Sequence, residues 1–98
     1  MNVSEMILSA IGTGEENAVN AAHLTQLTGL TVRELRQTVE KLRRDGYVIL
    51  SSNSGYYYPA TAAELERHIK KEERRARSIF FTLRSARELR AKWTDSGE

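Results

Sequence analysis

Apolar residues recur at helical spacing at the start of the chain, where Val3, Met6, Ile7, Ala10 and Ile11 share one face. Asn2 or Ser4 offers a cap for this helix, and Gly12 and Gly14 offer its stop. The next stretch is polar until Ala18 and Val19, which predicts a loop with room for a short strand at its end. Asn20 then suits the cap of a short helix whose Ala21, Leu24 and Leu27 share a face and which closes at Gly29. Thr31 and Glu34 stand in capping-box register. The threonine hydroxyl satisfies a first-turn amide and the glutamate returns to the cap's own amide. Between these two helices lies a turn, Thr28 to Thr31, of the length a helix-turn-helix allows.

In the second of these helices Val32, Leu35, Val39 and Leu42 form the buried stripe, and Arg33, Gln37, Glu40, Lys41 and Arg44 fall on the opposite side. Asp45 and Gly46 end it. Tyr47 to Leu50 has strand propensity, Ser51 to Gly55 reads as a turn, and Tyr56 to Tyr58 has strand propensity again before Pro59. A hairpin with a four- or five-residue tip follows, with Tyr56 and Tyr58 on one face and Tyr57 on the other. Thr61 and Glu64 form a second capping box. The helix they open carries Ala62, Leu65, Ile69, Ala76, Ile79, Leu83, Ala86 and Trp93 on a heptad-like seam, interrupted by Glu72 and Arg90. Some 30 residues of helix span roughly 45 Å, more than a body of this size covers, so its distal half predicts self-association.

These elements predict a mainly α fold with a small β-hairpin, a winged helix-turn-helix followed by a long C-terminal helix. The body is expected over 1–60, the basic amphipathic helix over 61–93 and a disordered tail over 94–98. In such a fold a strand near Val19 pairs with the wing.

At 98 residues the chain suits one small domain of modest stability. It has no cysteine, and His23 and His68 lie too far apart to suggest a metal site, so neither a metal nor a cofactor is expected. No long apolar run or secretory leader is evident, which predicts a soluble, cytoplasmic protein. No nucleophile with a nearby base, paired carboxylate signature or P-loop speaks for an enzyme. The net charge of +2 hides an uneven distribution, with −1 over residues 1–61 and +5 over residues 62–93. Basic blocks of this kind suit an anionic polymer or partner.

The run RELRQTVEKLRRDGYVILSSNSGYYYP, with its capped helix, LRRDGY close, apolar strand, polar turn and GYYY return strand, resembles the N-terminal winged-helix module of biotin operon repressors. That likeness spans about Met1 to Pro59, and no ligase domain follows. With its basic tail ERHIKKEERRARSIF, the chain also resembles small helix-turn-helix proteins of phages and prophages of Gram-positive bacteria. Double-stranded DNA is the implied partner.

On this reading Arg33 and Lys41 contact guanine or phosphate, Gln37 reads adenine edges, and Thr31 meets a backbone phosphate. Arg36 is a further candidate DNA contact, Arg44 is one that supports affinity evenly across sequences, and His23 is a surface residue. The wing tip offers Ser52, Asn53 and Ser54 as uncharged donors to phosphate, where wings of this type usually carry lysine or arginine. Tyr57 is either an exposed wing contact or a half-buried aromatic. Lys70, Lys71 and Arg74 are either an electrostatic anchor or a solvated face. Ile69, Ala76, Ile79, Phe80, Leu83, Ala86 and Trp93 are the expected oligomer contacts. The leading expectation is a sequence-specific DNA-binding oligomer acting in transcription or replication, with half-sites about one helical turn apart for a dimer. The alternative is a winged-helix module that docks on a protein of a phage replication or packaging machine.

Overall fold

A computed structural model of the chain describes residues 1–95. In order, the elements are α1 (Val3–Ala10), β1 (Gly12–Thr13), a 3-10 turn (Glu15–Asn17), α2 (Ala21–Thr28), α3 (Val32–Arg44), β2 (Leu50–Ser52), β3 (Gly55–Tyr58) and α4 (Ala62–Asp95). This is a winged helix-turn-helix with a long C-terminal helix. The chain forms two compact units, one over Met1–His68 and one from Ile69 onward.

Three helices and the wing meet in one core, where Ile7, Ile11, Leu24, Leu35, Val39, Leu42 and Ile49 are buried together. Each such side chain contributes about 1.5–3 kcal/mol by leaving water. Tyr56 and Tyr58 pack half-buried against this cluster, and the Tyr58 hydroxyl donates to the Leu8 carbonyl. Burial pushes the Tyr58 phenol up from its ordinary pKa, and the neighbouring Tyr47 pushes it the same way.

The sheet has the order β1-β3-β2, with β1 parallel and β2 antiparallel to β3. Val19 adds an antiparallel bridge to Tyr56 through reciprocal hydrogen bonds of 2.9 Å. The predicted short strand is this single bridge. Gly12 does more than stop α1: Ile11 caps the helix, and Gly12 pairs with Tyr57. The segment after Gly14, expected as plain loop, holds the 3-10 turn.

The first strand of the hairpin starts three residues later than propensity places it, and the second one residue earlier. Tyr47 to Ile49 are outside the ladder because their backbone groups serve the end of α3. The Tyr47 amide donates to the Leu42 carbonyl at 3.0 Å and the Gly46 amide to the Arg43 carbonyl at 3.1 Å, the paired bonds of a Schellman close. The Ile49 carbonyl accepts from Arg43 Nε at 2.8 Å. Strand pairing therefore begins at Leu50, and the Ser52–Gly55 pair leaves a tip of two residues, Asn53 and Ser54, in place of four or five. Gly55 is required here: its φ is +123°, and a Cβ would lie 2.3 Å from the Val19 carbonyl oxygen.

At the start of α4, Glu64 donates its amide to Thr61 Oγ1 at 3.1 Å. Its carboxylate accepts the Ala60 amide at 2.8 Å and the Glu15 amide at 2.9 Å. These charge-assisted bonds fasten the first turn of α4 to the 3-10 turn and hold the Glu64 carboxyl below its ordinary pKa, the Ala60 amide contributing most. Thr94 and Asp95 continue α4, which corrects the disordered tail expected from residue 94; positions 96–98 lie outside the described residues.

Candidate nucleic-acid interface

Two caps and a short turn set the two helices of the motif. Asn20 Oδ1 accepts the His23 amide at 2.8 Å and starts α2, with His23 on the surface as expected. Gly29, left-handed at φ 77°, closes α2, and only Gly29 to Thr31 separate it from α3. The capping box is complete. Thr31 Oγ1 accepts the Glu34 amide at 3.1 Å, and Glu34 Oε1 accepts the Thr31 amide at 2.9 Å. Chiefly through that backbone amide, the Glu34 carboxyl is held below its ordinary pKa. The Thr31 side chain, hydrogen-bonded to the same carboxylate, lowers it further.

Arg33, Gln37, Lys41 and Arg44 are exposed on α3 opposite Leu35, Val39 and Leu42, which are buried, and Arg36 is exposed on the flank that lines a groove with the wing. Glu40 lies within the same face, and its carboxylate is answered by Arg43 at 2.7 Å. Every lysine and arginine among residues 1–61 lies on α3, which carries five of them against Glu34 and Glu40. The acidic balance of the body thus comes from Glu5, Glu15, Glu16 and Asp45, all outside this helix.

Sequence reasoning missed Arg43, whose guanidinium connects three elements of the site. Besides Glu40, it donates through Nε to the Ile49 carbonyl and through its terminal nitrogens to Ser51 Oγ at 3.4 Å. It fixes the wing against the last turn of α3. The i, i+3 spacing of Glu40 and Arg43 is the one sign of it in the sequence.

Between α3 and the wing, Asn20, Val32, Arg36, Ser52, Asn53 and Tyr56 line a shallow groove. Asn53 and Ser54 stand exposed at the tip, while Ser52 Oγ is occupied by the Ser54 amide at 3.1 Å. Tyr57 is not a wing contact. Only 4 % of its surface is exposed, because it sits directly across from the buried Leu50 on the face of the sheet away from Tyr56 and Tyr58. Burial, with the charges of Glu15 and Glu64, raises its phenol pKa. Both Tyr57 and the start of α4 therefore belong to the support of the site.

Lys70, Lys71 and Arg74 are exposed on the second unit, on the side of α4 away from its apolar seam. Of the expected oligomer contacts, Ile69, Ala76, Ile79, Phe80, Leu83, Ala86 and Trp93 are all exposed, Phe80 by 64 %. Among the described residues no helix is long and apolar enough to cross a membrane, and no group of acidic or histidine side chains is placed to hold a metal ion. Compared with protein-family models, curated proteins and solved structures, the chain matches none of them.

Proposed function

We propose that the protein binds double-stranded DNA sequence-specifically through the exposed face of α3, acting as a cytoplasmic regulator of transcription or replication in oligomeric form. The observation that carries this reading is the confinement of all five basic side chains of residues 1–61 to α3, four of them, Arg33, Arg36, Lys41 and Arg44, exposed. An α-helix fits the major groove, and this face offers both bidentate donors and one amide reader. Gln37 is the base-reading residue, Arg33 and Lys41 contact guanine or phosphate, and Arg36 and Arg44 hold the backbone. Asn53 and Ser54 supply uncharged contacts at the wing, so charge-driven affinity falls to α3 and to Lys70, Lys71 and Arg74 on the second unit.

A binding selection on random duplexes, followed by gel shifts over a salt series, tests this reading. A selected sequence with affinity falling steeply between about 50 and 200 mM salt is the expected outcome. Replacement of Gln37 by alanine should cost about 1–3 kcal/mol and relax one base position. Arg44→Ala should weaken all sequences evenly and lower the salt slope by about one. Absence of any selected sequence would favour a winged-helix module that docks on a protein, the reading supported by the uncharged wing tip.

A further inference from the structure

The second unit presents an exposed apolar stripe. Ile69, Ala76, Ile79, Leu83, Ala86 and Trp93 follow spacings of 3 and 4, with Phe80 along one edge. Glu72 and Arg90 interrupt it, one in each half and of opposite charge. Those two positions determine which way a second copy can lie on the stripe.

We propose that two copies of the chain pair through α4 as an antiparallel two-helix coil, in the register that sets Glu72 of each copy against Arg90 of the other. The pairing rests on the self-association within the proposed function and goes beyond it by fixing partner, direction and register; it does not rest on DNA binding.

In an antiparallel coil each a position of one helix faces a d position of the other, and the two-fold axis makes every cross-pair occur twice. With Glu72 opposite the second copy's Arg90, the remaining layers follow without further choice. Ile69 meets Trp93, Ala76 meets Ala86, and Ile79 meets Leu83, so apolar faces apolar in every other layer between Ile69 and Trp93. One flank agrees as well: Glu73 falls beside the second copy's Arg87 and Phe80 meets its own symmetry mate, while on the other Thr82 meets Thr82 and the long Arg75 side chain lies beside Leu89. Arg87 already lies over the Phe80 ring at 5.9 Å, so the edge is an aromatic and cationic strip that a second Phe80 and a Glu73 would close.

The alternatives fail on the same residues. A parallel, in-register pair stacks Glu72 on Glu72 and Arg90 on Arg90 within the seam, two like-charge layers. Sliding the antiparallel pair by one heptad sets Glu72 against Leu83 and Arg90 against Leu65, or else Arg90 against Ile79 and Glu72 beyond the described residues. Each leaves a charge facing an apolar side chain, which costs free energy that a paired charge avoids. In the free chain Glu72 makes a loose contact to Arg75 at 3.7 Å, easily shared with a new partner. The side of α4 carrying Lys70, Arg74, Arg77 and Phe81 points away from this seam.

Because the chain has no cysteine of its own, directed crosslinking reads the geometry cleanly. Full-length Glu72→Cys and Arg90→Cys variants are oxidised separately and as a mixture. The expected result is a disulfide-linked dimer in the mixture and little in either variant alone. Efficient crosslinking of Glu72→Cys or Arg90→Cys by itself overturns the antiparallel arrangement. Independently, sedimentation equilibrium should give twice the 11.1 kDa chain mass. Glu72→Arg or Arg90→Glu should weaken association about tenfold or more, and the double exchange should restore most of it. A monomer at tens of micromolar, or no rescue in the double exchange, overturns the proposal. Phe81→Ser, lying off the seam, should leave the dissociation constant unchanged, and loss of the dimer in that variant counts against the seam. None of these readouts uses DNA, so a failure here is distinct from a failure of the gel shift.

Discussion

Gly55 shows how one residue sets the geometry of the wing. Its backbone is in a region closed to other residues, and the Val19 carbonyl fills the space where a side chain would start. Gly55→Ala should therefore cost about 2 kcal/mol or more, seen as a lower urea midpoint, with loss of the Val19–Tyr56 bridge in amide exchange. From the sequence this glycine reads only as part of a turn, because its neighbour is contributed by a residue 36 positions earlier. Tyr57 illustrates the same limit. Alternation correctly separates it from Tyr56 and Tyr58, yet which face is buried depends on what covers the sheet from elsewhere in the chain. Gln37, Arg33 and Lys41, by contrast, are legible at once, since the helical period alone places them opposite the buried stripe.

At the scale of elements, capping and stop signals carried the most information. Both helices of the central motif begin at the residues their sequences indicate, with Asn20 and Thr31 as caps. Strand propensity misplaced β2 because it ignores competition for backbone groups: Tyr47 and Ile49 are bound to the end of α3 before they can join a ladder. Arg43 is the other half of that competition. Its replacement by methionine, which keeps the apolar stem and removes the donors, should leave α3 intact and loosen the wing. The measurement is faster amide exchange over Leu50–Tyr58 with little change in helical circular dichroism. The two carboxylates at helix starts, Glu34 and Glu64, also act here. Their pKa values in the folded chain lie below the ordinary 4.5, so the unfolded chain takes up these protons first. Their stabilisation is complete above 4.5 and is lost as pH falls through the lower folded values. Tm should drop on acidification through that window, and Glu34→Gln or Glu64→Gln should flatten the slope.

For the whole molecule, the first unit does not close until α4 has begun. Glu64 takes the Glu15 amide across 49 positions, Arg67 lies 3.9 Å from the Glu15 carboxylate, and the sheet face bearing Leu50 and Tyr57 is buried within Met1–His68. The seam residues proposed to face a second copy, Ile69 to Trp93, all come after that point. On a ribosome, chain emerges in order and domains fold as their last parts appear. Under the pairing proposed above, each body draws its own contacts from residues synthesised before the seam, so the heads can be complete by the time two seams are able to meet. In such a dimer, synthesis order itself would guard against exchange of unfinished wings between copies.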